Sequence, residues 1–324
     1  MKILILGGAG MIGRKLAERL AIDGELGGNE ITELTLYDVV AADKPASAIF
    51  PVKILEGDLP APGETDKLLA EKPDVIFHLA AIVSGEAEQD FDKGYRINLQ
   101  GTMNLLESIR KAGHKPRVVF TSSIAVFGAP FPERIPDDFF TTPLTSYGTQ
   151  KAIGELLLAD YTRKGFLDGV GIRLPTICVR PGKPNKAASG FFSNIIREPL
   201  AGQEAVLPVS EDVMHWHASP RAAIGFLIHA ATIDSEKVGQ RRALTMPGLA
   251  VTVGQQIEAL RKVAGDKVVK RIRHEPDPFV EQIVAGWPRN FDASRAKELG
   301  FKAESSFEEI IQVHLDDELG GRIA

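Results

Sequence analysis

A tyrosine and a lysine four positions apart, Tyr147 and Lys151 in YGTQK, are the residues of this sequence best suited to moving a proton. On a helix that spacing puts both side chains on one face. A free phenol with a pKa of ~10 is a poor base at neutral pH, but a neighbouring ammonium favours the phenolate by charge attraction. Two hydroxyls, Ser122 and Ser123, follow the apolar run RVVF, and the carboxyl end of a strand is where open α/β sheets hold ligands. A phenol, an ammonium and a serine hydroxyl together can do general acid–base chemistry on an alcohol or a carbonyl. Tyr-x-x-x-Lys alone also suits a solvated helix face, so the elements that carry it decide its meaning.

Those elements alternate. Lys2–Leu6 (KILIL), Thr32–Asp38, Val52–Leu55, Val75–Leu79, Arg117–Ser122 and Val170–Leu174 read as strands, several of them continuous apolar runs. From Met11 to Ile22, residues Met11, Ile12, Leu16, Ala17 and Leu20 recur at helical spacing. Asn98–Ala112 puts Leu99, Met103, Leu106 and Ile109 on one helical face, with Gly113 placed to stop it, and Tyr147–Arg163 is a further helix. Strands alternating with helices predict parallel βαβ units with right-handed crossovers, and therefore an α/β doubly wound parallel sheet of Rossmann type.

The turn after the first strand, Gly7-Gly8-Ala9-Gly10-Met11-Ile12-Gly13, spaces its glycines as G-x-x-G-x-x-G. Glycines permit a tight turn and let backbone N–H groups approach a pyrophosphate at a helix N-terminus, where the dipole favours anions. Asp38 ends the second strand, 25 residues after Gly13. An acid there can accept hydrogen bonds from ribose hydroxyls and repels a 2′-phosphate. Val39–Asp43 contains no basic residue, so NAD is expected rather than NADP. Beyond Pro175 the alternation fades and prolines recur, Pro181, Pro199, Pro208, Pro220 and Pro247 among them. We expect residues 1–174 to form the NAD-binding Rossmann domain. Residues 175–324 are expected to be mainly a smaller C-terminal substrate lobe, with some segments able to return to the sheet.

Composition narrows the class. The 324 residues suffice for about two domains at roughly 150 residues each. Hydrophobic residues make up 44% and charged residues 25%, and the net charge of −5 carries no basic footprint for nucleic acid. No apolar stretch reaches the ~18 residues of a membrane span, and the start lacks a signal-peptide cleavage pattern. The lone cysteine, Cys178, excludes an intramolecular disulfide framework. A cytoplasmic enzyme of small molecules is the expectation.

The ordered set GGAGMIG, Asp38, Gly57-Asp58-Leu59, His78-Leu79-Ala80-Ala81, Asn98, Thr121-Ser122-Ser123 and Tyr147…Lys151 resembles the extended short-chain dehydrogenase/reductase family, the NAD-dependent epimerases and dehydratases. The resemblance implies that Tyr147 is the catalytic base, that Lys151 binds the nicotinamide ribose and depresses the Tyr147 pKa, and that Ser123 is the catalytic serine. It implies pyrophosphate binding by Gly7, Gly10, Met11, Ile12 and Gly13, and adenine binding by Asp58 and Leu59. Leu79, Ala80 and Ala81 would line the phosphate and ribose region, Asn98 would mark a helix break near the active site, and Pro175 would meet the nicotinamide. Phe127 stands where many nucleotide-sugar members have tyrosine, and Ser123-Ile124-Ala125 stands where dehydratases have Thr-Asp-Glu. The whole chain, MHWHASPRAA included, is most similar to members that oxidise a small sugar acid at C2 with NAD, D-erythronate giving 2-dehydro-D-erythronate. Two alternatives stay open: a nucleotide-sugar epimerase with tightly bound NAD, and a non-catalytic NAD sensor.

A sugar acid needs a reader for its carboxylate. Arg180, Lys183 and Lys186 follow the active-site strand with Ser189 and Asn194 nearby, and the planar fork of Arg180 suits a carboxylate best. Ser122, Ser123, Tyr147, Thr176 and Arg180 are the candidate substrate residues. His215 and His217 flank Trp216 and could ligate a metal from one strand face, but no third ligand with suitable spacing appears and no metal is expected. His78 and Cys178 read as core residues. Leu156, Leu157 and Leu158 cannot all face one sheet. The resemblance implies a homodimer through a four-helix interface, the alternative being burial under the second lobe.

Overall fold

The computed structural model describes residues 1–182 and 189–324; Lys183 and Lys186, two of the candidate cations, lie outside the described residues. Seven strands form one parallel sheet: β1 (Lys2–Leu6), β2 (Glu33–Asp38), β3 (Val52–Glu56), β4 (Val75–His78), β5 (Arg117–Ser123), β6 (Asp168–Leu174) and β7 (Ala243–Thr245). Their spatial order is β7-β6-β5-β4-β1-β2-β3. The direction of strand addition reverses beside β1, which opens a crevice at the carboxyl ends of β1 and β4.

Period-two alternation sends neighbouring side chains to opposite faces. Ile3 and Ile5 of β1 join Leu16 and Leu20 of helix α1 (Met11–Asp23) in one buried layer. Leu4 and Leu6 join the other, with Leu105, Leu106 and Ile109 of helix α2 (Gly101–Ala112) and Leu158 of helix α3 (Ser146–Arg163). Helix α2 ends where Gly113 turns left-handed at φ +69°. Its expected start at Asn98 differs: Tyr95–Gln100 form a wider π-helical turn. Buried Asn98 holds that turn, donating to the Gln150 amide oxygen at 2.7 Å and accepting from the Ile82 N–H at 2.9 Å.

The later half of the chain contributes to both regions. The β7 strand pairs with β6, Ala243 opposite Gly171, and helix α5 (Pro220–Thr232), which follows helix α4 (Gly190–Leu200), joins the layer that contains α1. The rest builds a small mixed sheet in which Met214–Ala218 runs antiparallel to Leu249–Thr252 and parallel to Thr176–Ile177. A separate core forms there from Phe192, Ile195 and Ile196 of α4, with Ile257 and Leu260 of helix α6 (Val253–Ala264) and Ile310 and Ile311 of helix α7 (Phe307–Glu318). Of the three successive leucines in α3, Leu158 is buried, whereas Leu156 stays 67% exposed, uncovered by the described residues of the second lobe.

Candidate active site

Where the sheet meets the small lobe lies a cleft of about 520 Å³. One end is lined by Gly7, Gly10, Met11, Ile12, Gly13, Leu79 and Ala81, the other by Ser122, Ser123, Tyr147, Lys151, Pro175, Thr176 and Arg180. Strand β5 delivers the serines. Helix α3 delivers Tyr147 and Lys151 from its first turns, its start fixed by Thr145, whose hydroxyl accepts from the Gly148 N–H at 3.1 Å.

Tyr147 and Ser123 line this end of the cleft together. Burial pushes the pKa of the Tyr147 hydroxyl up to about 12, against a downward pull from the Arg180 charge and the Ser123 hydroxyl. The Lys151 ammonium donates to the Thr121 carbonyl at 2.7 Å and lies 4.9 Å from the centre of the Phe120 ring and 5.7 Å from that of Tyr147. Burial lowers its pKa to about 8, opposed by the Glu155 carboxylate. The Ser123 hydroxyl also accepts from the Ala125 N–H at 3.1 Å. The Ser122 hydroxyl points elsewhere: it donates to Glu155, so only the rest of that residue borders the cleft.

Glu155 is a functional neighbour that the sequence reading passed over. It is buried and forked by Arg173, with the guanidinium Nε 2.9 Å from one oxygen and Nη2 2.8 Å from the other. Tyr147, Lys151 and Glu155 recur every four residues on α3, and an acid continuing that stripe into the core was the available signal. Gln150, the partner of Asn98, Arg197, which donates to the Arg180 carbonyl at 2.7 Å, and Trp287 in the cleft wall were also missed.

Arg180 is the cation exposed to the reacting region. Its Nε donates to the Ile177 carbonyl at 3.1 Å and its Nη2 to the Ser189 hydroxyl at 2.9 Å. Among the described residues no carboxylate pairs with it, and burial lowers its pKa. A desolvated guanidinium with spare N–H groups seeks an anion. His215 lines the same wall, stacked on Phe192 with ring centres 5.2 Å apart, its Nε2 2.7 Å from the Thr176 hydroxyl. His217 is buried beside it, 2.8 Å from the Gln256 amide nitrogen. No group of three or more metal-ligating side chains occurs among the described residues. His78 and Cys178 are buried in the core, His78 bonded to the Thr102 hydroxyl at 2.8 Å.

The glycine turn fits a dinucleotide. A Cβ at Gly13 would stand 2.1 Å from the Gly7 carbonyl oxygen, and Gly7 itself takes φ +92° with Ala80 packed against it. The N-cap of α1 is Gly10, which has no side chain to cap it, so its first N–H groups suit an anion such as a pyrophosphate. Asp38 sits at the end of β2, where its carboxylate accepts from the Ala9 N–H at 2.9 Å and from the Val39 N–H at 2.7 Å. Asp58 pairs with Arg96 at 2.5 Å, and Leu59 is buried; both lie beyond the lined cleft.

Comparison with known proteins agrees with this geometry. Residues 3–217 match the model of the NAD dependent epimerase/dehydratase family. A D-erythronate dehydrogenase of Cupriavidus necator is 48% identical over 98% of both chains. One from Haemophilus influenzae is 45% identical over 98% of this chain and 99% of its own. Among solved structures, the nucleoside-diphosphate-sugar epimerase from Agrobacterium tumefaciens superposes with a TM-score of 0.98 at 67% identity, covering 100% of this chain and 96% of that one. A GalE-like L-threonine dehydrogenase from Cupriavidus necator gives 0.85 at 26% identity over 98% and 99%.

Proposed function

This chain belongs to the NAD-dependent epimerase/dehydratase family, and from that premise we propose that it oxidises the C2 hydroxyl of a small sugar acid with NAD, D-erythronate giving 2-dehydro-D-erythronate. The observation that carries the substrate class is the half-buried Arg180 guanidinium, free of any carboxylate among the described residues, in the same cleft as Tyr147. It matches a substrate whose carboxylate is attached directly to the reacting carbon. The full-length relatives named D-erythronate dehydrogenase support the four-carbon acid.

The roles follow from the placements. Gly7, Gly10, Met11, Ile12 and Gly13 hold the pyrophosphate of NAD against the start of α1. Asp38 takes the adenosine ribose, with Asp58 and Leu59 toward the adenine. Leu79, Ala80 and Ala81 border the cofactor's middle, Asn98 fixes the π-helical turn behind it, and Pro175 meets the nicotinamide. When bound, NAD supplies the acceptor for the hydride that leaves C2. Ser123 holds the reacting hydroxyl, and Tyr147 removes its proton at the phenolic oxygen. Lys151 places its ammonium on the ribose side of Tyr147, while Ser122 ties β5 to Glu155. Arg180 and Thr176 receive the carboxylate and a further hydroxyl. In this reading residues 1–174 bind NAD and residues 175–324 mainly shape the substrate end.

Two helices leave large apolar side chains uncovered, Met103 at 43% and Leu156 at 67% exposure, and Phe91 adds 58%. They support a homodimer. No helix among the described residues is long and apolar enough to cross a membrane, and a cytoplasmic site suits an enzyme that draws on the cellular NAD pool.

The rival reading is a nucleotide-sugar epimerase, the name carried by the Agrobacterium structure. Purified protein mixed with NAD and four- to six-carbon aldonates separates the two by the absorbance of NADH. Activity confined to D-erythronate and near relatives supports the dehydrogenase. Silence across the panel, with NAD retained through purification and a nucleotide sugar epimerised, establishes the epimerase.

A further inference from the structure

Two buried anchors hold the segment that borders the substrate end of the cleft. Val284, in the helix Pro278–Ala285, belongs to the core of the small lobe with Phe192 and Ile257. Phe291 is fully buried in a different core, its ring centre 5.7 Å from that of Phe127 and 5.6 Å from that of Trp216. Backbone bonds fix this second anchor: the Ile135 N–H donates to the Asn290 carbonyl at 3.0 Å, and the Asp292 N–H donates to the Ile135 carbonyl at 2.8 Å. Between the anchors, Gly286, Trp287 and Pro288 line the cleft.

Trp287 is the bulky member of that stretch. Its backbone N–H donates to the Val284 carbonyl at 3.1 Å, and its side chain packs against the small-lobe core. Its ring centre lies 5.3 Å from that of His215, which is stacked on Phe192 at an interplanar angle of 4°. A ring backed by a packed core, on a stretch tied at both ends, cannot give way to a ligand without disturbing that packing. It also presents an aromatic surface where the added hydroxyl of a longer sugar acid would need a hydrogen-bond partner. The geometry points to Trp287 as the residue that sets substrate length. Its ring bounds the space beside Arg180 and Thr176, so that a four-carbon acid is accommodated and each further carbon meets the indole. This assignment rests on the sugar-acid reading given above and adds to it the feature that excludes longer acids.

The test compares kcat/KM for D-erythronate with those for five- and six-carbon aldonates of the same configuration at C2 and C3, in the wild type, Trp287→Phe, Trp287→Leu and Trp287→Ala. The wild type is expected to disfavour the five-carbon acid by about 10–10²-fold, and the six-carbon acid by more. Trp287→Ala opens the wall, so that preference should shrink about tenfold. Trp287→Phe, which keeps a ring there, should hold most of it, and Trp287→Leu should fall between. Calorimetric titration with NAD checks that each variant is folded, and Trp287→Leu carries the test if Trp287→Ala does not fold. A merely structural role for Trp287 would lower kcat/KM for all the acids together and leave their ratio alone. An unmoved ratio in the folded variants overturns the assignment, as does a wild type that takes the longer acids as readily as D-erythronate. Absence of activity on any sugar acid overturns the underlying reading, and this assignment with it.

Discussion

Arg180 is the cation that bears on the Tyr147 hydroxyl, pulling its pKa down against burial, while the Lys151 ammonium is turned to the Thr121 carbonyl at 2.7 Å. One guanidinium can therefore serve two ends: it attracts a substrate carboxylate and favours the phenolate that must accept the proton. Removing its charge (Arg180→Gln) should cost about 10²-fold in kcat/KM, as losing a partner of a buried charge pair does. The sign of the pH effect follows from the same field. Without the cation the phenolate is harder to form, so the rising limb of the pH–rate profile should move to higher pH. A profile that keeps its position would place the relevant charge elsewhere.

Tyr147→Phe removes the proton acceptor and little else. Turnover should fall by about 10²–10⁴-fold, with NAD affinity nearly unchanged because the glycine turn and Asp38 are untouched. Pre-steady-state NADH formation together with equilibrium NAD binding checks both halves. Wild-type turnover in this variant would remove Tyr147 from the chemistry.

Much of this was legible in the sequence, and the reasons differ by element. The strands KILIL and VIFH could be read because a sheet covered on both faces needs unbroken apolar runs, and the glycine turn because only glycine fits 2.1 Å from a carbonyl oxygen at position 13. The β7 strand escaped because Ala243–Thr245 spans three residues, too short for any period to show. Glu155 looked like one more charge on a helix; burial and the Arg173 fork, which give it meaning, come from a strand that follows α3 in the chain.

Asp38 should govern cofactor choice. Its carboxylate already accepts from the Ala9 N–H at 2.9 Å, which fixes it beside the glycine turn. Losing a charged acceptor for a ribose hydroxyl (Asp38→Ala) should weaken NAD binding by about 10–100-fold and lessen the discrimination against NADP. Titration calorimetry with both cofactors measures this, and equal NAD affinity in the variant would contradict it.

The buried Arg173–Glu155 pair ties α3 to β5 and β6, the elements that hold Tyr147, Lys151 and Ser123. Glu155→Gln leaves an uncompensated guanidinium in the core, which should cost about 3–5 kcal/mol of stability. Urea unfolding of the two proteins under identical conditions reads the difference. A loss below 1 kcal/mol, on the order of an exposed pair, would show that the pair is not holding these elements together.

Acid should destabilise the fold earlier than carboxylate titration alone requires. His78 and His215 are held at about 3 by burial, against ~6.5 in an unfolded chain. Between those values the unfolded chain binds protons that the folded one does not, so this contribution is complete above pH ~6.5 and is lost as the pH falls toward 3. The drop in stability from pH 7 to pH 5 should be smaller in His78→Gln than in the wild type. Equal drops would show that His78 titrates normally in the folded protein.

Oxidation of D-erythronate deuterated at C2 tests the central claim most directly. The account predicts NADH formation with the deuterium transferred stoichiometrically to the nicotinamide and 2-dehydro-D-erythronate as the product. Unlabelled NADH would mean that another carbon is oxidised, and no net NADH would mean that the site does not perform this reaction at all.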